Sequence, residues 1–499
     1  MTLPRRDIVT KSLQSFILGT CAPLAFSPYD IYIIAVISPA LLIHIWLGSS
    51  PRSALIYGYV YGLGMFGVGI SWLHISIYLF GGVNLAGSVL LTFLFVMFIA
   101  LFPALAGYVS AKLSGRQLPQ LSIVLIIPAV WTLSEWIRSW IFTGFPWLNL
   151  GYSQIDSPLN GLAPIFGVFG ISYVVLFTAA SFAVLFRMTG AVRYTPCALV
   201  LLLWGAAWLA ENHHWTAPTG EKITVALIQG AIPQELKWTP EMRQPTLDIY
   251  RELTGPYLDH DLIIWPEAAI PAYYHQIETD IQQLLAKTSE NDTRLITGLP
   301  VMDRSTGKYY NSVVMLDQDV SFYYKRHLVP FGEYLPFAFV LQGFVDYFNI
   351  PMSDFSRGTA PAPVISTRDF DIGISICYED TFGEEVIQAL PQAAILVNVS
   401  NDAWFGDSAA PHQHLQMARM RASETGRYLL RATNTGITAI IDEKGNILDR
   451  SPQFTPVSLS GEATLFSGST PYVKSGNYPV IILSFLILSV LGYKRSVTN

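Results

Sequence analysis

The sequence predicts a helical membrane bundle of about eight spans joined to an α/β layered domain. Three observations carry this. Residues 12–210 are almost free of charge, whereas residues 220–470 carry an ordinary globular mixture, and a last apolar stretch follows at 479–493. Within 220–470, strand-like and helix-like runs alternate, as layered α/β domains do. Over all 499 residues only 13% are charged and 51% hydrophobic, against roughly 25% charge in an ordinary soluble domain. The chain therefore divides into a membrane region at 1–215, a polar domain at 220–470 and a C-terminal span at 477–495.

A bilayer core of roughly 30 Å takes about 20 apolar helical residues. Candidate spans lie at 12–27, 30–48, 54–73, 84–111, 121–140, 162–186, 195–210 and 479–493. The first follows Arg5, Arg6 and Lys11 and contains Pro23, and so resembles a signal peptide. The next apolar stretch comes almost at once, with no clear small-residue cleavage site, so the segment reads as a retained span. The short-loop cations Arg52, Lys112, Arg116, Arg187, Arg193, Lys494 and Arg495 all fall on the side of the N-terminus if eight spans are real. That side is then cytoplasmic. Arg138 is the exception. Both termini are expected in the cytoplasm, with the polar domain outside it. Trp46, Trp72, Trp140, Trp147, Trp208 and Trp215 lie near span ends, where amphipathic rings favour the interface and where they also pack bundles. Glu135 and Arg138, one turn apart in a largely apolar helix, can pair.

In the polar domain, KITVALIQ at 222–229 alternates as a strand, and DLIIWPEAA at 261–269 reads as a buried strand ending in a Pro-Glu turn. RLITGLP, NSVVML, FDIGISIC, AAILVNVS and GITAIID are further β-branched runs. Helical patterns fall near 240–258, 276–290, 380–390 and 411–430. The net charge of −6 comes without a basic patch, which argues against a nucleic-acid partner. Of three cysteines only Cys377 lies in this domain, so it forms no internal disulfide.

Three strand ends carry unusual chemistry. Glu267 follows Trp265-Pro266, where a rigid turn suits a base, though alone it reads as a solvated turn residue. Lys325 lies directly after a strand in YYKRHLVPFGEYLP, a place where most lysines are surface charges. Cys377 ends the apolar strand DIGISIC and precedes Tyr378-Glu379-Asp380; alone it reads as a buried hydrophobe. His412 and His414 in PHQHLQMARM invite a metal reading, but two histidines without a third partner are too few for a typical zinc site. They read as residues that start a helix and hydrogen-bond locally. No Walker-type phosphate loop occurs, so no cofactor or metal is expected.

Taken in order, the strand-end Glu, the Lys before Pro-Phe-Gly-Glu and the Cys before Tyr-Glu-Asp resemble the nitrilase, or carbon–nitrogen hydrolase, superfamily over roughly 222–465. The resemblance implies an αββα sandwich and a Glu267-Lys325-Cys377 triad, with Glu333 in PFGEY as the second family glutamate. Seven spans before such a domain and one after it are similar to the bacterial apolipoprotein N-acyltransferases. IPQELKW at 232–238, LVPFGEYLP at 328–336, SICYED at 375–380 and SNDAWFGDSAAPHQHLQMARMRA at 400–422 agree in detail.

That resemblance implies an inner-membrane enzyme with a periplasmic catalytic domain. It would move an acyl chain from a phospholipid, phosphatidylethanolamine above all, to the N-terminal amine of a diacylglyceryl-cysteine apolipoprotein. A monomer is expected. Cys377 would be the nucleophile, Glu267 the general base and Lys325 the oxyanion partner. The Tyr378 backbone N–H would be a second oxyanion donor, Glu333 would orient Lys325 or the amine, and Glu379 would support the Cys377 loop. Trp238 would line the substrate entrance and Trp404 with Phe405 would gate it. The segment 331–350, FGEYLPFAFVLQGFVDYFNI, is dense in large apolar side chains; it is either a core-packed insertion or a lid that dips into lipid. Two rivals remain. A membrane-anchored nitrilase-type amidase would need one anchor rather than seven spans. An inert lipoprotein-binding or transport protein would not need an intact triad.

Overall fold

A computed structural model describes residues 5–114, 120–185, 187, 190, 193–336 and 354–498. The chain forms two compact units. One comprises Met1–His74, Asn84–His213 and Ser475–Asn499, and the other Ile75–Val83 and His214–Lys474.

The first unit is helical. Among the described residues, three helices are long and apolar enough to cross a membrane: Leu85–Ser114, Pro158–Leu185 and Tyr194–Glu211. Pro51–Gly69 and Leu73–Phe80, bent by 55°, make a fourth if the pair is one span, and Ile34–Trp46 and Tyr478–Tyr493 are apolar but shorter. The expected spans at 12–27 and 121–140 fall on the helices Arg5–Cys21 and Gln120–Arg138. The helix starts are chemically marked. Ser50 accepts from the Ser53 amide at 3.2 Å ahead of Pro51, and Asn84 accepts from the Gly87 amide at 2.9 Å, each supplying an acceptor to an otherwise orphan donor.

Small residues set the packing of this unit. A Cβ on Gly64 would lie 2.5 Å from the Phe16 carbonyl oxygen, and one on Gly19 would lie 2.1 Å from that of Tyr61. The helices Arg5–Cys21 and Pro51–Gly69 thus touch backbone to backbone, the contact small residues permit between membrane helices. Leu201, Leu202 and Leu209 are exposed, an apolar face suited to lipid. The tryptophans divide: Trp46 is buried against Trp131 and Trp72 against Trp147, while Trp140 and Trp208 are exposed. Glu135 and Arg138 are buried and pin the same loop. Arg138 donates to the carbonyls of Phe145 and Trp147 at 2.7 and 2.6 Å and to Asn149 Oδ1 at 2.6 Å, while Glu135 accepts from the Leu150 amide at 3.0 Å.

Among the described residues, the second unit is built on two six-stranded sheets. The first runs β12-β1-β2-β3-β4-β5, with β1 Ala217–Gln229, β2 Leu262–Ile264, β3 Arg294–Asp303, β4 Lys308–Leu316, β5 Val320–Tyr324 and β12 Val457–Ser467. The second runs β11-β10-β9-β8-β7-β6, with β6 Val364–Ser366, β7 Asp371–Ile376, β8 Ile395–Ser400, β9 Leu429–Thr433, β10 Ala439–Ile441 and β11 Ile447–Arg450. Alternation along each strand decides the layers. Ile223, Val225 and Leu227 of β1 face Ile372, Ile374 and Ile376 of β7 and Val397 of β8 in one core between the sheets. Ala226 and Ile228 turn outward with Trp265, onto Leu247 and Tyr250 of the helix Arg243–Thr254 and Ile281 of the helix Glu278–Glu290. On the far side, Leu396 and Leu429 pack against Leu415, Ala418 and Ala422 of the helix Ala409–Thr425. The layers are helix, sheet, sheet, helix. The parallel pairs β1-β2-β3 and β7-β8-β9 deliver their C-terminal ends to one edge, where the candidate residues lie.

Candidate active site

Glu267, Lys325 and Cys377 each sit just past the end of a strand, where the backbone must turn. β2 ends at Ile264, and Glu267 follows beyond Trp265-Pro266. The turn is tight: Ala268 has φ +47°, and a Cβ on Gly298 would lie 2.6 Å from the Glu267 Cα. β5 ends at Tyr324, and the Lys325 amide donates to the Asn311 carbonyl at 2.8 Å. β7 ends at Ile376, and Cys377 opens a 3-10 turn, Cys377–Thr381, with φ +51°. For a non-glycine residue that backbone costs about 1–3 kcal/mol, a strain that clusters at functional sites.

Charges and one amide knit Glu267, Lys325 and Glu333 together. Lys325 Nζ donates to Glu333 Oε1 at 2.9 Å and lies 3.5 Å from Glu267 Oε1. Asn311 Nδ2 donates to both carboxylates, at 2.7 Å to Glu267 and 2.8 Å to Glu333. Glu333 Oε2 accepts from the Val329 amide at 2.8 Å. Lys325 is 1% exposed. Burial pulls its pKa down, and Glu333, Glu267 and Cys377 together outweigh it and raise it, so the ammonium stays charged. Burial and then Glu267 push the Cys377 thiol far above its ordinary range, with Lys325 acting in the opposite sense. The resting sulfur is a thiol, and a nucleophile in this place needs a base as it attacks.

Glu379 ties two turns together. Its Oε1 accepts from the Arg326 and His327 amides at 2.6 and 3.1 Å, and its Oε2 from the Ile376 amide at 2.8 Å. The Tyr323 hydroxyl donates to the same carboxylate at 3.1 Å. Burial raises its pKa to about 7 against the pull of those donors. Tyr378 is buried, its ring 5.0 Å from that of Phe382. Trp238 and Trp404 are exposed and Phe405 half-buried. All three lie on segments fastened to the site. Lys237 Nζ donates to the Glu267 carbonyl at 3.4 Å, and Asn401 Nδ2 donates to Gln234 Oε1 at 2.8 Å. Lys237 is fully buried, and burial lowers its pKa to about 8. Of the expected lid at 331–350, residues 337–350 lie outside the described residues.

Sequence reasoning missed Asn311, Lys237 and a polar group behind Cys377. His414 bonds across the fold. Its ring nitrogens reach Asp402 at 2.9 Å and Asp380 at 2.8 Å. The Cys377 sulfur, an Asp402 oxygen and a His414 nitrogen lie within 4.8 Å of one another, a spacing open to a metal. Both ring nitrogens already face carboxylates, however, and Arg431 lies 2.9 Å from Asp402, so a cation already fills the charge requirement. The signal in the sequence was Asp380 and Asp402, each a few residues past a strand of the same sheet.

Two family models cover most of the chain. Residues 18–181 match the apolipoprotein N-acyltransferase N-terminal domain and residues 224–461 match the carbon-nitrogen hydrolase domain. The apolipoprotein N-acyltransferase of Methylococcus capsulatus is 43% identical over 480 residues, covering 96% of this chain and 95% of its own. That of Nitrosomonas europaea is 42% identical, covering 95% and 96%, and that of Coxiella burnetii 40%, covering 96% and 100%. Saccharomyces cerevisiae Nit3, a member of branch 10 of the nitrilase superfamily, aligns with 52% of this chain and 94% of its own at 19% identity and a TM-score of 0.36. The family assignment rests on the sequence relatives and not on that superposition. With both domains matched in order and relatives of this identity along nearly its full length, the chain belongs to the apolipoprotein N-acyltransferase family, acyltransferases that carry a carbon-nitrogen hydrolase domain.

Proposed function

We propose that the chain transfers an acyl group from a phospholipid to the N-terminal amine of a diacylglyceryl-cysteine apolipoprotein through a thioester on Cys377. What supports this most directly is a half-buried thiol acted on by both a strand-end carboxylate, Glu267, and a charged lysine, Lys325, in a chain that also carries span-length apolar helices.

In the first half-reaction Cys377 Sγ attacks the ester carbonyl carbon as its proton passes to Glu267. The carbonyl oxygen becomes an oxyanion stabilised by the Lys325 ammonium and the Tyr378 backbone N–H; a fixed cation in a dry site does this well. Collapse breaks the ester C–O bond, and the departing alkoxide takes the proton from Glu267 and leaves as a lysophospholipid. In the second half-reaction the lipoprotein amine attacks the thioester and gives a proton to Glu267. Collapse then expels the sulfur, which Glu267 reprotonates. Glu333 and Asn311 hold Lys325 and Glu267 in register, and Glu379 holds the Cys377 turn. Trp238, Trp404 and Phe405 line and gate the entrance.

The finer arrangement belongs to the same proposal. Eight spans cross the bacterial inner membrane, seven of them within 1–215 and one at 477–495, with both termini cytoplasmic. The domain at 220–470 is periplasmic, the preferred donor is phosphatidylethanolamine, and the enzyme works as a monomer without metal or cofactor.

The test is intact-protein mass spectrometry after incubation with phosphatidylethanolamine in detergent without acceptor. The expected result is one hydroxylamine-labile acyl mass on Cys377 with release of lysophospholipid. A Cys377 that alkylates readily but never acylates would point to an amidase acting on another substrate. A Cys377 that does neither would point to an inert domain.

A further inference from the structure

Four charged side chains behind Cys377 close a ring. Asp380 Oδ2 accepts from Arg431 Nη1 at 3.1 Å, and Arg431 Nη2 donates to Asp402 Oδ2 at 2.9 Å. Asp402 Oδ1 faces His414 Nδ1 at 2.9 Å, and His414 Nε2 returns to Asp380 Oδ1 at 2.8 Å. Every member is at most 3% exposed. The four come from four places: the turn after β7, the turn after β8, the helix Ala409–Thr425 and β9. Unpaired buried charge is costly, and removing one partner of such a group exposes that cost.

The protonation of the ring follows from its geometry. Arg431 Nη2 also lies 2.9 Å from His414 Nδ1. A neutral imidazole taking that bond would set its Nδ1 lone pair against Asp402 Oδ1 at 2.9 Å. The imidazolium donates to a carboxylate from each nitrogen, and sets one N–H against the Arg431 guanidinium, whose charge the same two carboxylates offset. Burial and Arg431 oppose its charge, but the two aspartates outweigh them and raise its pKa to about 9. Two cations then balance two anions.

The ring touches the nucleophile. The Cys377 sulfur lies within 4.8 Å of Asp402 and His414 side-chain atoms. The Ser400 hydroxyl bonds that sulfur and also lies 3.4 Å from Asp402 Oδ1. Asp402 opens the short 3-10 turn Asp402–Phe405 that carries Trp404. Charged groups face Cys377 from every side: Glu267 beyond β2, Lys325 beyond β5, Asp402 beyond β8, His414 from its helix and Arg431 from β9.

We propose that the Asp380-His414-Asp402-Arg431 ring is a charge-balanced positioning network, which fastens the Cys377 turn to the Trp404-Phe405 turn while presenting no net charge to the sulfur. This rests on Cys377 being the nucleophile. His414 and Asp402 are positioning residues, acting through the sulfur they adjoin and through the turn they hold.

The consequence is a pair of substitutions with opposite effects. His414→Gln leaves the ring with one net negative charge beside the sulfur and disfavours the thiolate. Asp402→Asn also removes one of the two carboxylates that keep His414 protonated, so well below pH 9 it leaves one net positive charge and favours the thiolate. One unit charge at this range moves a thiol by roughly 1 to 2 pH units. At fixed pH 6.5, where His414 stays charged in every variant that keeps it, alkylation of Cys377 by neutral iodoacetamide in the full-length detergent-solubilised protein should therefore slow at least about tenfold in His414→Gln. It should quicken at least about tenfold in Asp402→Asn. The double variant His414→Gln/Asp402→Asn leaves Arg431 and Asp380 balanced and should return to within about threefold of the parent. A ring that only buttressed the fold would loosen the site in both single variants and quicken both, and that result overturns the proposal. If His414→Gln does not accumulate, the quickening in Asp402→Asn against its return in the double variant decides the matter. A Cys377 that forms no acyl thioester with phospholipid in the unsubstituted protein would overturn the nucleophile assignment itself, a different outcome from two variants shifting the same way.

Discussion

Asn311 supplies a sharp test of how the site is held. Its single amide nitrogen donates to Glu267 at 2.7 Å and to Glu333 at 2.8 Å, and the side chain is buried. In Asn311→Ala both carboxylates lose a charge-assisted bond, each worth about 1.5 to 3 kcal/mol. The loss is unequal. Glu333 keeps Lys325 at 2.9 Å and the Val329 amide at 2.8 Å, whereas Glu267 is left facing Lys325 at 3.5 Å. Water entering the vacated space returns part of the energy, so about 3 kcal/mol is expected. For an α/β unit of this size unfolding as one, that is a fall of about 6 to 12 °C in Tm. The misplaced Glu267 should slow acyl-enzyme formation about 100-fold, equivalent to roughly 2.7 kcal/mol of barrier. The assay is the time course of the acyl mass on Cys377, with thermal unfolding in the same detergent. Acylation within threefold of the parent at unchanged Tm would refute the idea that this amide holds the base. Asn311→Asp should be worse than alanine, since it sets a third carboxylate beside Lys325.

Other expectations can be measured with the same preparations. Cys377→Ala and Cys377→Ser should yield no hydroxylamine-labile adduct; a thioester in the alanine variant would end the assignment. Glu267→Gln should fold, by unchanged Tm within about 2 °C, yet fail to acylate. Glu379 has its pKa raised from 4.5 to about 7 by burial, so the folded chain holds a proton that the unfolded chain releases. Its contribution to stability is full below about pH 4.5 and is lost as pH rises through about 7. Glu379→Gln should flatten the decline of Tm across that window, and an identical slope would contradict the burial argument. Arg138→Ala should strip the carbonyls of Phe145 and Trp147 of a charged donor. The membrane unit should then lose about 3 kcal/mol or more, seen as poor accumulation or early loss of helical signal on heating.

Local chemistry made much of this protein legible in one dimension. Charge depletion over 12–210 marked the helical region because lipid tolerates little else, and the runs KITVALIQ, DLIIW and FDIGISIC declared buried strands by composition alone. Glu267, Lys325 and Cys377 stood out because each interrupts an apolar strand at its end. What stayed hidden depends on partners far away in the chain. β12 is a polar, glycine-containing run that becomes a strand only by pairing with β1, more than 200 residues earlier. The 55° bend between Pro51–Gly69 and Leu73–Phe80 is not encoded in their apolar composition. His414 looked like a helix-start residue; it is a buried cation because the fold sets it between Asp380 and Asp402, 34 and 12 residues away. Asn311 was one polar residue at the head of a strand until the sheet carried its amide between two carboxylates. The sequence by itself determined which segments must be buried and which side chains could react. Only the tertiary structure decided which charges face one another, because electrostatic pairing depends on distance in space, and residues far apart in sequence meet only when the sheets are assembled.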